Sequence, residues 1–270
     1  MKILSALLIA FLTLPSAAHH GRDFLLVQDA AVPAPFTGIL YNNFELATRQ
    51  GPDEWSIEPG IVYGLGRGLS AGITASFLDE GGGMDFASLS PQMQWQISDA
   101  SSRFRFSLLA GYQFGQGSPE GHSHGSEEES ICGPEYGPDA PACDEIETHD
   151  HSTHVHGGIH QHGVDALFAR FIMETDLTKT TRLAVNLITV VPDGAGAAWG
   201  YAAGLRHAIS HDFAVGLECL GDFNSSGYHE AALAAYYSPT HRITLKFGAG
   251  AGLTDESPDL TIHAGAMFRF

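Results

Sequence analysis

Apolar and polar residues alternate with a period of two through most of this chain. In one stretch Phe104, Phe106, Leu108, Ala110, Tyr112 and Phe114 fall on one side, with Arg105, Ser107 and Gln113 on the other. Ala87, Leu89, Met93, Trp95 and Ile97 interleave with Ser88, Ser90, Gln92, Gln94 and Gln96. Further on, Ile243, Leu245 and Phe247 oppose Arg242, Thr244 and Lys246. At the end Leu260, Ile262, Ala264, Ala266, Phe268 and Phe270 oppose Thr261, His263, Met267 and Arg269. Successive side chains of a strand point to opposite faces, so each segment predicts a strand with one greasy and one wet side.

The segments run about ten to thirteen residues, longer than the ~5–6 of soluble strands and close to the ~9–11 that cross a bilayer when tilted. Short connections (66–68, 98–102, 177–180, 210–212, 238–241) alternate with longer ones (49–53, 79–84, 117–163, 192–197, 221–227, 254–258). Short periplasmic turns and longer outer loops are the outer-membrane arrangement. The expected fold is therefore all-β, a transmembrane antiparallel up-and-down barrel of about twelve strands. The strands fall near 36–48, 54–65, 69–78, 85–97, 103–116, 164–176, 181–191, 198–209, 213–221, 228–238, 242–253 and 259–270. An even number places both ends on the periplasmic side. Pro59 and Pro91 fall inside strands and each predicts a bulge or an unpaired position.

The N-terminus fixes the compartment. Lys2, an apolar run from Ile3 to Leu14, and Pro15-Ser16-Ala17-Ala18 describe a secretory signal peptide over residues 1–18. Residues 19–35 are expected as a periplasmic N-terminal segment, with folding into the lumen as a partial plug the other reading. Residues 36–270 form the barrel. If cleavage follows Ala18, His19-His20-Gly21 would lead the chain, an amine and two imidazoles that suit Cu²⁺.

Composition adds a second theme. The net charge of −18 argues against nucleic acid as a partner, since little here could neutralise phosphates. Ten of the 31 acids lie in residues 117–163, together with eight histidines, two cysteines and no Lys or Arg. The histidines form four H-x-H pairs: His122 and His124, His149 and His151, His154 and His156, His160 and His162. In extended chain i and i+2 share a face, so each pair can aim two imidazoles at one ion. Zinc or copper captured at this outer loop is the expectation, as a bound ion rather than an obligatory cofactor. Cys132 and Cys143 read as a disulfide closing a small subloop, with thiolate ligation the alternative. Cys219 reads as a small apolar side chain beside Phe213, Val215 and Leu217.

The inward-facing charged candidates are Arg105, Arg170, Glu174, Glu218, Glu230, Arg242 and Arg269, with Glu45, Glu58, Arg206, Lys246 and His263 beside them. Both signs occur, which predicts pairing across the interior, whether for rigidity or for selectivity. No nucleophile elbow is present, and no strand serine has histidine and carboxylate partners readable from spacing, so an enzyme is not expected.

Tyr63-Gly64-Leu65-Gly66-Arg67-Gly68-Leu69-Ser70-Ala71-Gly72 resembles the strand–turn–strand repeat of a family of small outer-membrane transporters that includes meta-pathway phenol-degradation barrels. Gly252 to Asp259 resembles the final hairpin of that family, and the terminal aromatic strand ending at Phe270 resembles the assembly signal of Gram-negative outer-membrane proteins. The resemblance implies outer-membrane lipid and the barrel-assembly machinery as partners, and a passive channel for small hydrophobic solutes. Joined to the histidine-rich loop, the first expectation is an outer-membrane channel that captures divalent transition metal. The alternatives are that passive channel, or a closed surface barrel that buffers metal or adheres.

Overall fold

The computed structural model describes residues 23–49, 53–79, 81–116 and 164–270. The expected signal peptide, the eight histidines of 117–163 and the Cys132 and Cys143 pair lie outside the described residues. Twelve strands follow in order: β1 (Gly38–Thr48), β2 (Glu54–Gly66), β3 (Leu69–Asp79), β4 (Asp85–Gln96), β5 (Phe104–Gly115), β6 (Ala166–Asp176), β7 (Thr181–Pro192), β8 (Ala198–Ala208), β9 (Phe213–Asp222), β10 (His229–Thr240), β11 (Ile243–Gly252) and β12 (Leu260–Arg269). Boundaries agree with the alternation to within two residues.

Each strand pairs antiparallel with its sequence neighbours, and β1 pairs with β12 from Ile39↔Arg269 to Thr48↔Leu260, closing the barrel. Gly38 and Phe270 exchange both backbone hydrogen bonds at the seam, 2.9 and 3.0 Å. Closure matters because an open edge would leave unpaired N–H and C=O groups in hydrocarbon.

Each proline interrupts one ladder without a bulge and stays in register in the other, Pro59 opposite Asn42 and Pro91 opposite Ile73. The β2–β3 ladder stops at Ile57↔Phe77 and resumes at Gly60↔Thr74 without a shift, and β4–β5 does the same between Leu89↔Phe114 and Gln92↔Gly111. Proline lacks the N–H a ladder needs, so the pairing pauses while the register holds. A real bulge sits one turn away, where Ser76↔Ser88 is followed by Phe77↔Phe86. The extra residue, Ala87, is buried rather than sharing the outer face of Leu89. Period-two reading cannot register that inserted residue.

Burial alternates along much of the strands, and the exposed apolar residues form an outer belt. Leu40, Ile61, Ile73, Met93, Leu108, Phe171, Leu187, Leu217, Leu233, Phe247 and Ile262 all lie on it. Trp55, Phe86, Phe114 and Trp199 edge it near the long loops, while Trp95, Phe104, Phe213, Tyr237 and Phe268 edge it near the short turns. An apolar band between two aromatic girdles is the lipid-facing surface of a membrane barrel. The opposite faces bury Ser70, Gln94, Ser107, Asn186, Glu174, Glu218, Glu230 and Lys246.

The belt generates a prediction. Leu217→Arg, at mid-strand on the outer face, should destabilise the barrel by about 2–4 kcal/mol in urea titrations of protein folded into lipid vesicles, whereas Ser90→Arg on the inner face should cost far less. Equal costs would refute the inside–outside assignment.

A plugged lumen as the candidate functional site

Residues 23–35 are not periplasmic tail. They run inside the barrel, in the half of the lumen nearest the short turns. Many polar groups of the segment meet side chains from the wall. Asp23 is held by Arg269 Nη2 at 2.9 Å and by Arg182 Nη1 at 3.3 Å. Lys246 Nζ donates to the Phe24 carbonyl at 2.8 Å. The N–H groups of Leu25, Leu26 and Val27 converge on the Glu218 carboxylate at 2.8, 2.7 and 3.1 Å. Tyr236 also donates its hydroxyl to that carboxylate. Asn186 then imitates a neighbouring strand: its Oδ1 accepts from Gln28 N–H (2.8 Å) and its Nδ2 donates to the Gln28 carbonyl (2.9 Å). Ala30 N–H goes to Glu174 Oε2 at 3.1 Å, and its carbonyl accepts from Ser107 and from Gln94 Nε2. Gln96 Oε1 receives Val32 N–H at 3.3 Å.

The plug leaves through a turn in which Thr37 N–H bonds the Ala34 carbonyl at 3.1 Å, with Pro35 and Phe36 between. Phe36 has φ 62°, so this is a type II turn with proline at its usual second position and phenylalanine where glycine is preferred. The left-handed backbone there stores strain of order 1–3 kcal/mol, held by the bond from Phe36 N–H to Gly64 O.

Apolar side chains of the plug fill the same half of the lumen. Phe24 and Val27 pack with Ala184, Ile188, Ala202 and Leu220, Ala30 with Leu109 and Ile172, and Leu25 with Ala214, Ala234 and Tyr236. Wall glycines make room for it, Gly204 against Phe24 and Val27 among them. A Cβ at Gly64 would stand 2.2 Å from the Ala34 carbonyl oxygen, and one at Gly248 would stand 2.3 Å from Leu25. Between the plug and the β2–β5 wall a gap of about 10 Å³ remains, lined by Gln28, Val62, Ser70, Gly72 and Gln92. That is room for roughly one water.

The anchoring charges form a network. Arg105 bonds Glu174 at 2.6 Å and Asp176 at 2.7 Å, and Arg182 adds Glu174 at 3.2 Å to its contact with Asp23. Buried ion pairs add little net stability over apolar packing, but removing one partner is severe. The network therefore fixes where the plug sits more than how stable the barrel is.

Toward the long loops, above the plug, lies a cavity of about 270 Å³. Plug residues from Phe24 to Gln28 form its floor. Ser56, Thr74, Ser76, Ser88, Ser90 and Gln92 line one side, and Phe168, Ile188, Val190 and Leu220 the other. Glu45, Glu58, Arg170, Lys246 and His263 also reach it. Near its upper edge His263 Nε2 meets Glu230 Oε1 at 2.8 Å and its Nδ1 faces Glu45 at 3.5 Å, while Tyr228 donates its hydroxyl to Glu230 at 2.6 Å.

Of the charged residues expected in the lumen, Arg105, Glu174, Glu218, Glu230 and Arg269 lie on the inner wall in these contacts, and Arg170 lines the cavity. Arg242 does not: it sits in the exposed β10–β11 turn, where the strand has not yet begun. Cys219 is a free thiol, partly exposed, on the outer-face parity of β9. Among the described residues no group of three or more His, Cys, Asp or Glu is arranged to hold a metal ion. A partial plug is the sequence's other reading of residues 19–35; what sequence reasoning missed are the partners that seat the segment, Arg182, Asn186, Gln94 and Ser107. One signal was present: the inner face of β7 mixes Ala184, Ile188 and Val190 with Arg182 and Asn186, opposite Leu183, Val185 and Leu187 on the outer face. A lumen-facing apolar stripe requires something inside to cover it.

No family profile matches this chain, and no curated protein matches it. Solved structures do resemble it. The KdgM porin superimposes with a TM-score of 0.53, covering 85% of this chain and 99% of that one at 7% identity. The NanC porin gives 0.52, with 86% and 98% covered at 8% identity. An outer-membrane channel from Pseudomonas putida F1 gives 0.55, with 94% and 100% covered at 12% identity. At such identities the likeness is one of fold, that of Gram-negative outer-membrane barrels. The narrower resemblance to phenol-degradation barrels is not carried by it.

Glu218 is the test of the plug's attachment. Each charge-assisted bond it accepts is worth about 1.5–3 kcal/mol. Glu218→Ala should release the segment, raising chymotryptic cleavage at Phe24 to Leu26 at least about tenfold. Glu218→Gln, which keeps one accepting oxygen, should fall between. Cleavage unchanged in Glu218→Ala would mean that packing alone seats the plug.

Proposed function

We propose that this protein is an outer-membrane channel for small solutes whose own N-terminal segment holds it closed. The observation that carries this reading is the plug: a stretch of irregular chain that crosses the lumen and is bonded to β4, β5, β6, β7, β9, β11 and β12. A barrel needing only rigidity could fill its lumen with wall side chains, as eight-stranded barrels do. Here the filling is a separate segment, joined to β1 through a strained turn, so it can shift without unfolding a strand. The apolar belt and the likeness to porins and a channel support the outer membrane as its place. Solute enters the cavity from the long-loop side, and passage requires the plug to shift.

Planar-bilayer recording tests this reading. Wild-type protein should show small or rare openings, and deletion of residues 23–35 should raise conductance several-fold. Asp23→Ala, which loses both arginine contacts, should increase opening frequency without changing the open level. Equal conductance in wild type and deletion would remove the gating role.

We propose separately, from composition alone, that residues 117–163 bind divalent transition metal before solute reaches the lumen. Zinc titration of the full-length protein in micelles should give binding that disappears when 117–163 is deleted. Binding should also weaken sharply between about pH 7.5 and about pH 5.5, because an ordinary imidazole titrates near ~6.5 and must be neutral to ligate. Heats unchanged by the deletion would assign any binding elsewhere.

A further inference from the structure

The cavity above the plug has two unlike walls, and the difference specifies a ligand. The β2–β4 side presents hydroxyls and an amide, among them Ser76, Ser88 and Ser90. Such groups donate and accept in turn without bringing charge. The β6–β9 side presents Phe168, Ile188 and Leu220, and Phe24 and Val27 of the plug continue that surface across the floor. Charged groups of both signs reach the cavity, Glu45 and Glu58 against Arg170 and Lys246, with the Lys246 ammonium committed to the Phe24 carbonyl and the His263 ring held between Glu230 and Glu45. A singly charged solute would shed hydration here without meeting a field of one sign. An apolar solute would leave the hydroxyl wall's hydrogen bonds unmade, and a pure polyol would leave the greasy wall wet.

We infer that this vestibule is a binding site for an uncharged amphipathic small molecule, with an apolar ring or short chain on one side and several hydroxyls on the other. The volume of about 270 Å³ lies at the small end of ligand pockets, enough for one ring and one sugar-sized polar group. The inference deepens the channel reading, since the bound molecule would be the solute carried. The site itself exists in the plugged state and requires no conduction.

Equilibrium binding to the wild-type protein in lipid nanodiscs tests it, with phenyl β-D-glucoside as the probe. Phenyl β-D-glucuronide is the charged comparison and glucose the comparison without an apolar part, all followed by saturation-transfer NMR. The glucoside should bind at least about tenfold more tightly than either comparison. Ile188→Asp should abolish the preference over glucose, and Ser88→Val with Ser90→Val should weaken the glucoside several-fold. Glucuronide binding as well as glucoside would overturn the neutral-ligand assignment, and glucose binding as well would overturn the two-walled one. Because the ligand series runs on unaltered protein, a variant that fails to fold leaves the answer standing. Binding without any conductance would sink the channel reading and keep the site, while conductance without glucoside binding would do the reverse.

Discussion

At membrane depth every backbone N–H and C=O must find a partner inside the protein, and each unpaired one costs several kcal/mol. Twelve strands meet that demand by closing on one another, with the Gly38 and Phe270 pair completing the last seam. The plug faces the same demand without a ladder to satisfy it. Its solution is side chains: Glu218 for three consecutive amides, Asn186 for both groups of Gln28, and Glu174, Ser107 and Gln94 for Ala30. The lumen's polar residues are thus largely a template for one segment of chain.

This explains the otherwise awkward charges within the barrel. Glu174 and Glu218 are each about 1% exposed, where a carboxylate alone would be untenable. Each is held by donors from the plug as well as from the wall, so barrel and plug depend on each other for their burial. Charge pairing between Asp23 and two arginines at the short-turn end fixes the segment's register. The glycines that face it, Gly64 and Gly248, leave recesses that any side chain would fill. Electrostatics and shape agree on a single seating.

The plug also creates the vestibule. Without Phe24 to Gln28 as a floor, the lumen would be a wide passage whose greasy β6–β9 side faced water. With it, that stripe becomes one wall of a small two-faced chamber facing the long loops. Attachment combines the apolar packing of Phe24, Val27 and Ala30 with these polar contacts; water can replace each hydrogen bond as the lumen hydrates, so the polar part of the attachment costs far less to release than the sum of its bonds.

The order of strands, their boundaries to within two residues, the outer belt and the lumen position of Arg105, Glu174, Glu218, Glu230 and Arg269 follow from period-two alternation. Alternation is a local property: neighbouring side chains must point opposite ways, and lipid and water sort them. Local rules failed where geometry departs from the repeat, at the Ala87 bulge and at Arg242, which falls just before its strand. They also could not place residues 23–35, because the partners of that segment lie up to 246 positions away in Arg269. Asp23, Leu25 and Ala30 carry no periodic signal of their own. Only the closed barrel brings Glu218, Asn186, Glu174 and Lys246 around one point, and so only the tertiary structure decided between the two readings of this segment and put residues 23–35 in the lumen.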